Sequence, residues 1–300
     1  MDNLKRLEEK RLNLYQQYAK QNKIAMIVFI LALVLGLPGF FTEQILLIIL
    51  GIILFIVSLV FFGRAQKHSL TFKSIVKAEI VTELLKEQFD DVQYEPKNHV
   101  SIPRIVQTGM VKRPDRYTGE DLIMGSYKGV KFEVSDIDLK ERVETRDSKG
   151  NVTVSYQTYF KGRWYVYTFE RKFKEELKII EGRGFGVNTK GLVKLDVESI
   201  EFNKKFAIYA TTQEFGFYLI TSSMIEKLME LEKLHRGSIL YYYVGNELHI
   251  GVNDRRDYME LSIKTPINEA SLKTFMSDID LIPAIINELR LDSSKFKNTL

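Results

Sequence analysis

The chain of 300 residues contains no cysteine. That excludes a disulfide framework, a thiolate metal site and a cysteine nucleophile. It suits a reducing cytosol without requiring one. Histidine is scarce: His68, His99, His235 and His249 stand in no His-Glu-x-x-His or comparable spacing. A metal site would have only scattered imidazoles and carboxylates to draw on. Charge is missing from one long stretch. Between Ile24 and Phe62 there is no Lys, Arg or Asp, and Glu43 is the one carboxylate. The overall 27% of charged residues therefore averages two different regimes, and the net charge of +4 is too small to point to nucleic acid by itself.

Within the charge-poor stretch, Ile24–Phe41 and Ile45–Phe62 are each eighteen residues long. At 1.5 Å per residue each spans roughly 27 Å, close to the hydrocarbon thickness of a bilayer. Leu, Ile, Val and Phe ring the whole circumference, without the alternation of a helix that has one wet face. Two such helices in tandem predict a transmembrane hairpin. Gly36, Pro38 and Gly39 weaken the helix before the polar cluster Thr42-Glu43-Gln44, so the turn is expected at the water interface, where its backbone groups can be solvated. Lys5, Arg6, Lys10, Arg11, Lys20 and Lys23 precede the first run. Arg64, Lys67, Lys73 and Lys77 follow the second, and the turn has no cation. This bias predicts a multi-pass membrane protein with both termini cytoplasmic. A cleaved signal peptide is disfavoured, because no small-x-small site follows the first run and a second span comes at once.

The expected organisation is a cytosolic helix over 1–23, the hairpin over 24–62, and a cytosolic domain over 63–300 that is open to a split near the glycine-rich stretch at 190. Residues 2–23 read as a helical extension of the first span, with a surface-lying anchor as the rival. Ser69–Phe89 becomes amphipathic and reads as a helix capped by Ser69 or Thr71. Beyond it the chain is strand-rich. Val130, Phe132 and Val134 alternate, Asp147–Asn151 has hairpin-turn chemistry, and Lys161-Gly162-Arg163 reads as the next tight turn. Trp164 to Phe169 carries bulk on both faces, as a central strand does. Further strands are expected around Val193–Ile200, Lys205–Thr211, Ser238–Gly245, Glu247–Val252 and Tyr258–Ile263. Thr221–Lys233 opens with a Thr/Ser cap and has Ser223 and Glu226 in capping-box spacing, and Asn268–Leu291 is a final helix interrupted at Pro283. The fold class is α+β: an N-terminal transmembrane hairpin, then antiparallel strands flanked by helices.

The stretch Lys194–Lys233 carries Glu198-Ser199, Glu201-Phe202 and Phe206, the strand Ile208-Tyr209-Ala210, and Tyr218-Leu219-Ile220-Thr221 leading into Met224. With Phe160-Lys161-Gly162 and Phe169 upstream, it resembles the signature region of bacterial domain-of-unknown-function family 3137. The resemblance implies a two-helix membrane hairpin with a cytosolic domain behind it, and a LemA-like membrane protein as a partner. It implies no catalytic residues and no cofactor.

No reaction declares itself in the residues. Glu198 and Glu201, and the series Asp254, Asp257 and Glu260, offer paired carboxylates for acid–base work, but such pairs more often decorate a turn or strand end. The GRGFG stretch Gly182–Gly186 invites an anion-loop reading, with Arg183 and Lys190 near, yet lacks the following Lys-Ser/Thr. Ser222 and Ser223 have no nucleophile elbow around them. Tyr241–Tyr243 lack the basic surround of a nucleic-acid surface. Arg64, Lys67, Lys73 and Lys77, with Arg104, Lys112, Arg113 and Arg116 beside Pro103 and Pro114, are candidates for anionic lipid headgroups. The expectation is a membrane-tethered interaction or scaffolding module; the alternatives are a sensor of anionic lipid or a small ligand, and an enzyme acting near the membrane.

Overall fold

The computed structural model describes residues 2–182, 186–234 and 237–298. The chain divides into two compact units, Met1–Glu83 with Glu260–Met276, and Leu84–Met259 with Ser277–Leu300.

In the first unit, helix α1 (Asp2–Phe41) and helix α2 (Ile45–Thr71) form an antiparallel pair. The charged flank and the first apolar run are one uninterrupted helix. Both helices are long and apolar enough to cross a membrane. Thr42, Glu43 and Gln44 make the turn, closed by Thr42 N–H to the Pro38 carbonyl (2.9 Å) and Gln44 N–H to the Gly39 carbonyl (2.9 Å). The buried seam of the pair is made of small residues at heptad spacing, Ala25, Ala32 and Gly39 against Gly51, Ser58 and Ala65. Such residues let two backbones approach closely. A Cβ on Gly51 would meet the Gly36 Cα at 2.6 Å. The large apolar side chains point outward instead; Phe41 is 81% and Leu46 83% exposed.

No cap forms at Ser69 or Thr71. The helix continues through a π-helical stretch, Phe72–Lys77, into α3 (Ala78–Gln88). The Thr71 hydroxyl donates back to the Lys67 carbonyl (2.9 Å) and the Ser74 hydroxyl to the Thr71 carbonyl (3.2 Å). The helix does not begin here, and the Phe72 amide already bonds to the His68 and Ser69 carbonyl oxygens.

The second unit is built on one nine-stranded antiparallel sheet. Its strands are β1 (Asp90–Glu95), β2 (Arg116–Tyr127), β3 (Val130–Arg146), β4 (Val152–Thr168), β5 (Leu177–Glu181), β6 (Val193–Leu195), β7 (Phe206–Ala210), β8 (Ser238–Val244) and β9 (Glu247–Asn253), in the spatial order β1-β2-β3-β4-β9-β8-β5-β7-β6. Short helices α4 (Ile102–Gln107), α5 (Ile200–Lys205) and α6 (Gln213–Leu219) sit between strands, with α7 (Ser222–Leu234) and α8 (Glu269–Glu288) after them. β4 is buried on both faces. Trp164 and Val166 join a core with Ile105, Leu139, Phe160 and Leu240. On the other face Arg163 and Tyr167 bond to the carbonyls of Asp278 and Ile282 on α8.

Several expectations are corrected. Lys161-Gly162-Arg163 is no turn but lies within β4. Gly162 is needed because its φ is +149° and a Cβ there would meet the Val252 carbonyl oxygen of β9 at 2.1 Å. Tyr258–Ile263 is not a strand. The Tyr258 and Met259 amides are taken by side-chain carboxylates of Asp136 and Asp278 (both 2.9 Å), and Met259 has φ +53°, so no ladder can form there. Ile200 begins α5, where the Ser199 hydroxyl caps the Phe202 amide (3.2 Å). For α7, of the threonine and serines expected at the cap, it is the Thr221 hydroxyl that accepts from the Met224 amide (3.3 Å). α8 runs through Pro283 without interruption.

Gly162→Ala is expected to destabilise the protein by more than about 1 kcal/mol, since a left-handed φ and a backbone clash coincide. Thermal unfolding of the purified full-length protein in detergent measures this; an unchanged midpoint would contradict the close β4–β9 approach.

Candidate functional site

Two polar networks are set into the sheet unit, and both start from β4. Asp136 on β3 pairs in register with Arg163 on β4. Arg163 is fully buried, and its Nε donates to Asp136 Oδ1 (2.8 Å). Its guanidinium also lies over the Tyr258 ring, 4.2 Å from the centroid. Asp278 Oδ1 accepts from Arg256 (3.3 Å), and Tyr258 O–H donates to Asp254 Oδ2 (2.6 Å). Burial, the largest influence on Asp136, raises its carboxyl pKa against the downward pull of Arg163 and the Tyr258 amide. Arg163 Nη2 is buried with no hydrogen-bond partner among the described residues. Removing one member of such a pair leaves an uncompensated buried charge, at about 3–5 kcal/mol.

Beside this pair lies a cavity of about 320 Å³ walled by Glu120, Asp136, Asp138, Lys161, Arg256 and Asp257, with Gly162. Lys161 is held by Asp257 (3.0 Å). The walls are mixed in sign and rich in acceptors, so the cavity suits a small polar molecule able to donate hydrogen bonds.

The second network runs from the single tryptophan. Trp164 Nε1–H donates to His249 Nδ1 (3.4 Å), which leaves the His249 proton on Nε2 to donate to Glu247 Oε2 (2.9 Å). Arg104 binds Glu247 and Glu133, each at 2.8 Å. The His249 hydrogen bond, followed by those of Arg104, lowers the Glu247 carboxyl to about 2 against the opposing effect of burial.

Among the residues singled out from sequence, Arg104 is thus spent inside the sheet unit, and Lys112 is paired with Glu141. Arg116 lies over the Tyr156 ring (3.6 Å), and Arg113 is exposed. In the other unit, Lys73 and Lys77 both reach Glu260 (3.0 and 3.6 Å), and Lys77 is only 4% exposed. Arg64 and Lys67 are exposed, Arg64 beside Phe61. Asp254 comes to the Arg163 network through Tyr258, and Asp257 to Lys161 at the cavity, whereas Glu260 serves the lysines; Glu198 and Glu201 are exposed. His99 bonds through Nδ1 to the Val100 carbonyl oxygen (2.8 Å). Arg183 and His235 lie outside the described residues. No group of three or more His, Asp or Glu able to hold a metal occurs among the described residues. Asp136, Arg163, Lys161 and His249 escaped the sequence reading as a set, because only strand register brings them together. The one available signal was a charged residue beside Trp164 in a strand bulky on both faces.

Residues 158–291 match the family described as "Protein of unknown function (DUF3137)". No curated protein matches the chain. Among solved structures, the crystal structure of the mycobacterial trehalose monomycolate transport factor A aligns at 9% identity, over 71% of this chain and 95% of that one, with a TM-score of 0.38. At that level the likeness carries no argument.

Glu247 is depressed in the folded state, so its contribution is present above the ordinary carboxylate range near 4.5 and is lost as pH falls toward about 2. Glu247→Gln should therefore be less stable than the parent at neutral pH, with the gap closing across that acid window. Parallel unfolding curves for parent and variant down to pH about 2 would contradict the network.

Proposed function

We propose that the chain is a membrane-anchored interaction module. The α1–α2 hairpin sits in the bacterial inner membrane with both termini in the cytoplasm, and the sheet unit binds a membrane protein there. The LemA-like kind of protein implied by the family resemblance is the partner we propose. Anchoring raises the effective concentration of the module toward partners in the same membrane.

The observation that supports this reading is the far end of the β3–β4 ribbon. Arg146 pairs with Val152, Glu144 with Val154 and Val143 with Ser155. β2 pairs with β3 only as far as Lys140, and β9 with β4 only from Arg163. Beyond Arg142, two strands therefore stand without a third among the described residues, and Val152 and Val154 are exposed. Asp147 closes the tip through the Lys149 and Asn151 amides (both 2.9 Å). A two-stranded ribbon is marginal in water by itself, and its open edges are templates for pairing with another chain.

Replacing residues 143–155 with Asn-Gly, which supports a two-residue hairpin turn, shortens the ribbon without touching the buried sheet. The shortened full-length protein is expected to unfold at the parent temperature but to lose a co-expressed LemA-like membrane protein in detergent co-purification. Retention of that protein, or its absence from the parent preparation, contradicts the proposal.

A further inference from the structure

The segment after Met259 is held against α1 by a buried clamp. Arg11, 4% exposed, donates from Nε and Nη2 to Glu8 (2.8 and 2.6 Å) and from Nη1 to the Ile263 carbonyl oxygen (2.7 Å). Glu8 Oε2 in turn accepts the Ile267 amide (2.8 Å). The hydrogen bond from Arg11 keeps the Glu8 carboxyl below its ordinary value, against the opposing effect of burial. Lys264 lies between the two clamped residues, with its ammonium 5.6 Å from the centre of the Tyr18 ring.

Below the clamp, Tyr15, Tyr18, Asn22, Lys23, Met26 and Ile27 follow one face of α1 and, with Lys264, line a groove of about 440 Å³. From Tyr15 to Ile27 this face extends about 18 Å along the helix axis. The groove changes character along its length. Two phenols, an amide and two ammonium groups line one end. Met26 and Ile27, at the start of the charge-poor stretch, line the other. Neither Lys23 nor Lys264 has a carboxylate partner among the described residues, whereas Lys10, Lys73 and Lys77 of the same unit are paired with Glu79 or Glu260.

We propose that this groove is a binding site for an anionic phospholipid. The phosphate lies between Lys23 and Lys264, the tyrosines and Asn22 hydrogen-bond the headgroup, and the upper acyl chain packs on Met26 and Ile27. Two uncompensated cations select an anionic headgroup over a zwitterionic one. The apolar end selects a lipid over a free anion, and tyrosine is the side chain suited to this boundary. The site rests on the hairpin lying in a bilayer, but not on the ribbon's protein partner.

The test uses the full-length chain in phosphatidylcholine nanodiscs with and without phosphatidylglycerol, with bound lipid read by native mass spectrometry after release. The parent is expected to retain phosphatidylglycerol over phosphatidylcholine. Lys23→Gln and Lys264→Gln should each weaken that preference roughly five-fold. Arg64→Gln with Lys67→Gln, outside the groove, should leave it unchanged, and excess inorganic phosphate should not displace the lipid. Equal loss in the Arg64/Lys67 double variant assigns the preference to diffuse surface charge and overturns the site. So does displacement by phosphate, or full retention in Lys264→Gln. A chain that fails to enter nanodiscs at all contradicts the membrane reading beneath it.

Discussion

The outer surface of the α1–α2 hairpin is apolar, so its exposure to water is unfavourable. Its large side chains point away from the partner helix, while the seam is built from Ala25, Ala32, Gly39, Gly51, Ser58 and Ala65. A seam of small residues buries little apolar area, so the pair does not shelter its own leucines and phenylalanines. Each such side chain left in water forgoes about 1.5–3 kcal/mol, and over both helices this reaches the order of tens of kcal/mol. An apolar environment on all sides resolves the conflict. In a bilayer the same seam becomes an asset, because close backbone approach is what drives helix pairing once the hydrophobic effect between helices is gone.

Polar chemistry is arranged to respect that constraint. In the first unit, Arg11 and Glu8 spend their charge on each other and on the backbone of the 263–267 segment, all on the charged side of Ile24. In the sheet unit, Asp136 and Asp278 take the Tyr258 and Met259 amides. The Asp136 carboxylate that pairs with Arg163, and the Asp278 carboxylate that pairs with Arg256, thus help determine where the chain leaves the sheet after β9. Burying the Asp136–Arg163 pair is an expensive way to stabilise a sheet. Its effect is to fix one path for the chain beside a polar cavity.

The hairpin, the α+β class and most strands were legible in the sequence because their signals are local: runs without charge, alternation along Val130–Val134, and the Asp147–Asn151 turn. The failures share a cause. Lys161–Arg163 has turn composition, yet the glycine answers to the Val252 carbonyl of another strand. Tyr258–Ile263 alternates like a strand, yet its amides answer to two distant carboxylates. Thr71 looks like a cap, yet bonds to the turn before it. The candidate sites were legible least. Arg163 meets Asp136, and His249 meets Glu247 and Trp164, only through β-sheet register and side-chain reach. Lys264 comes to Tyr18 only through the Arg11 clamp. The heptad spacing of the small seam residues was present in the sequence, but it is quiet beside the Leu and Ile around it.

The absence of cysteine makes the membrane account directly testable, since any introduced thiol is the only one in the chain. Single variants Glu43→Cys, at the turn between α1 and α2, and Lys149→Cys, at the tip of the β3–β4 ribbon, would be exposed to a membrane-impermeant maleimide in intact cells and after permeabilisation. The account predicts labelling of Glu43→Cys in intact cells and of Lys149→Cys only after permeabilisation. Labelling of Lys149→Cys in intact cells, or of both thiols only after permeabilisation, would contradict it.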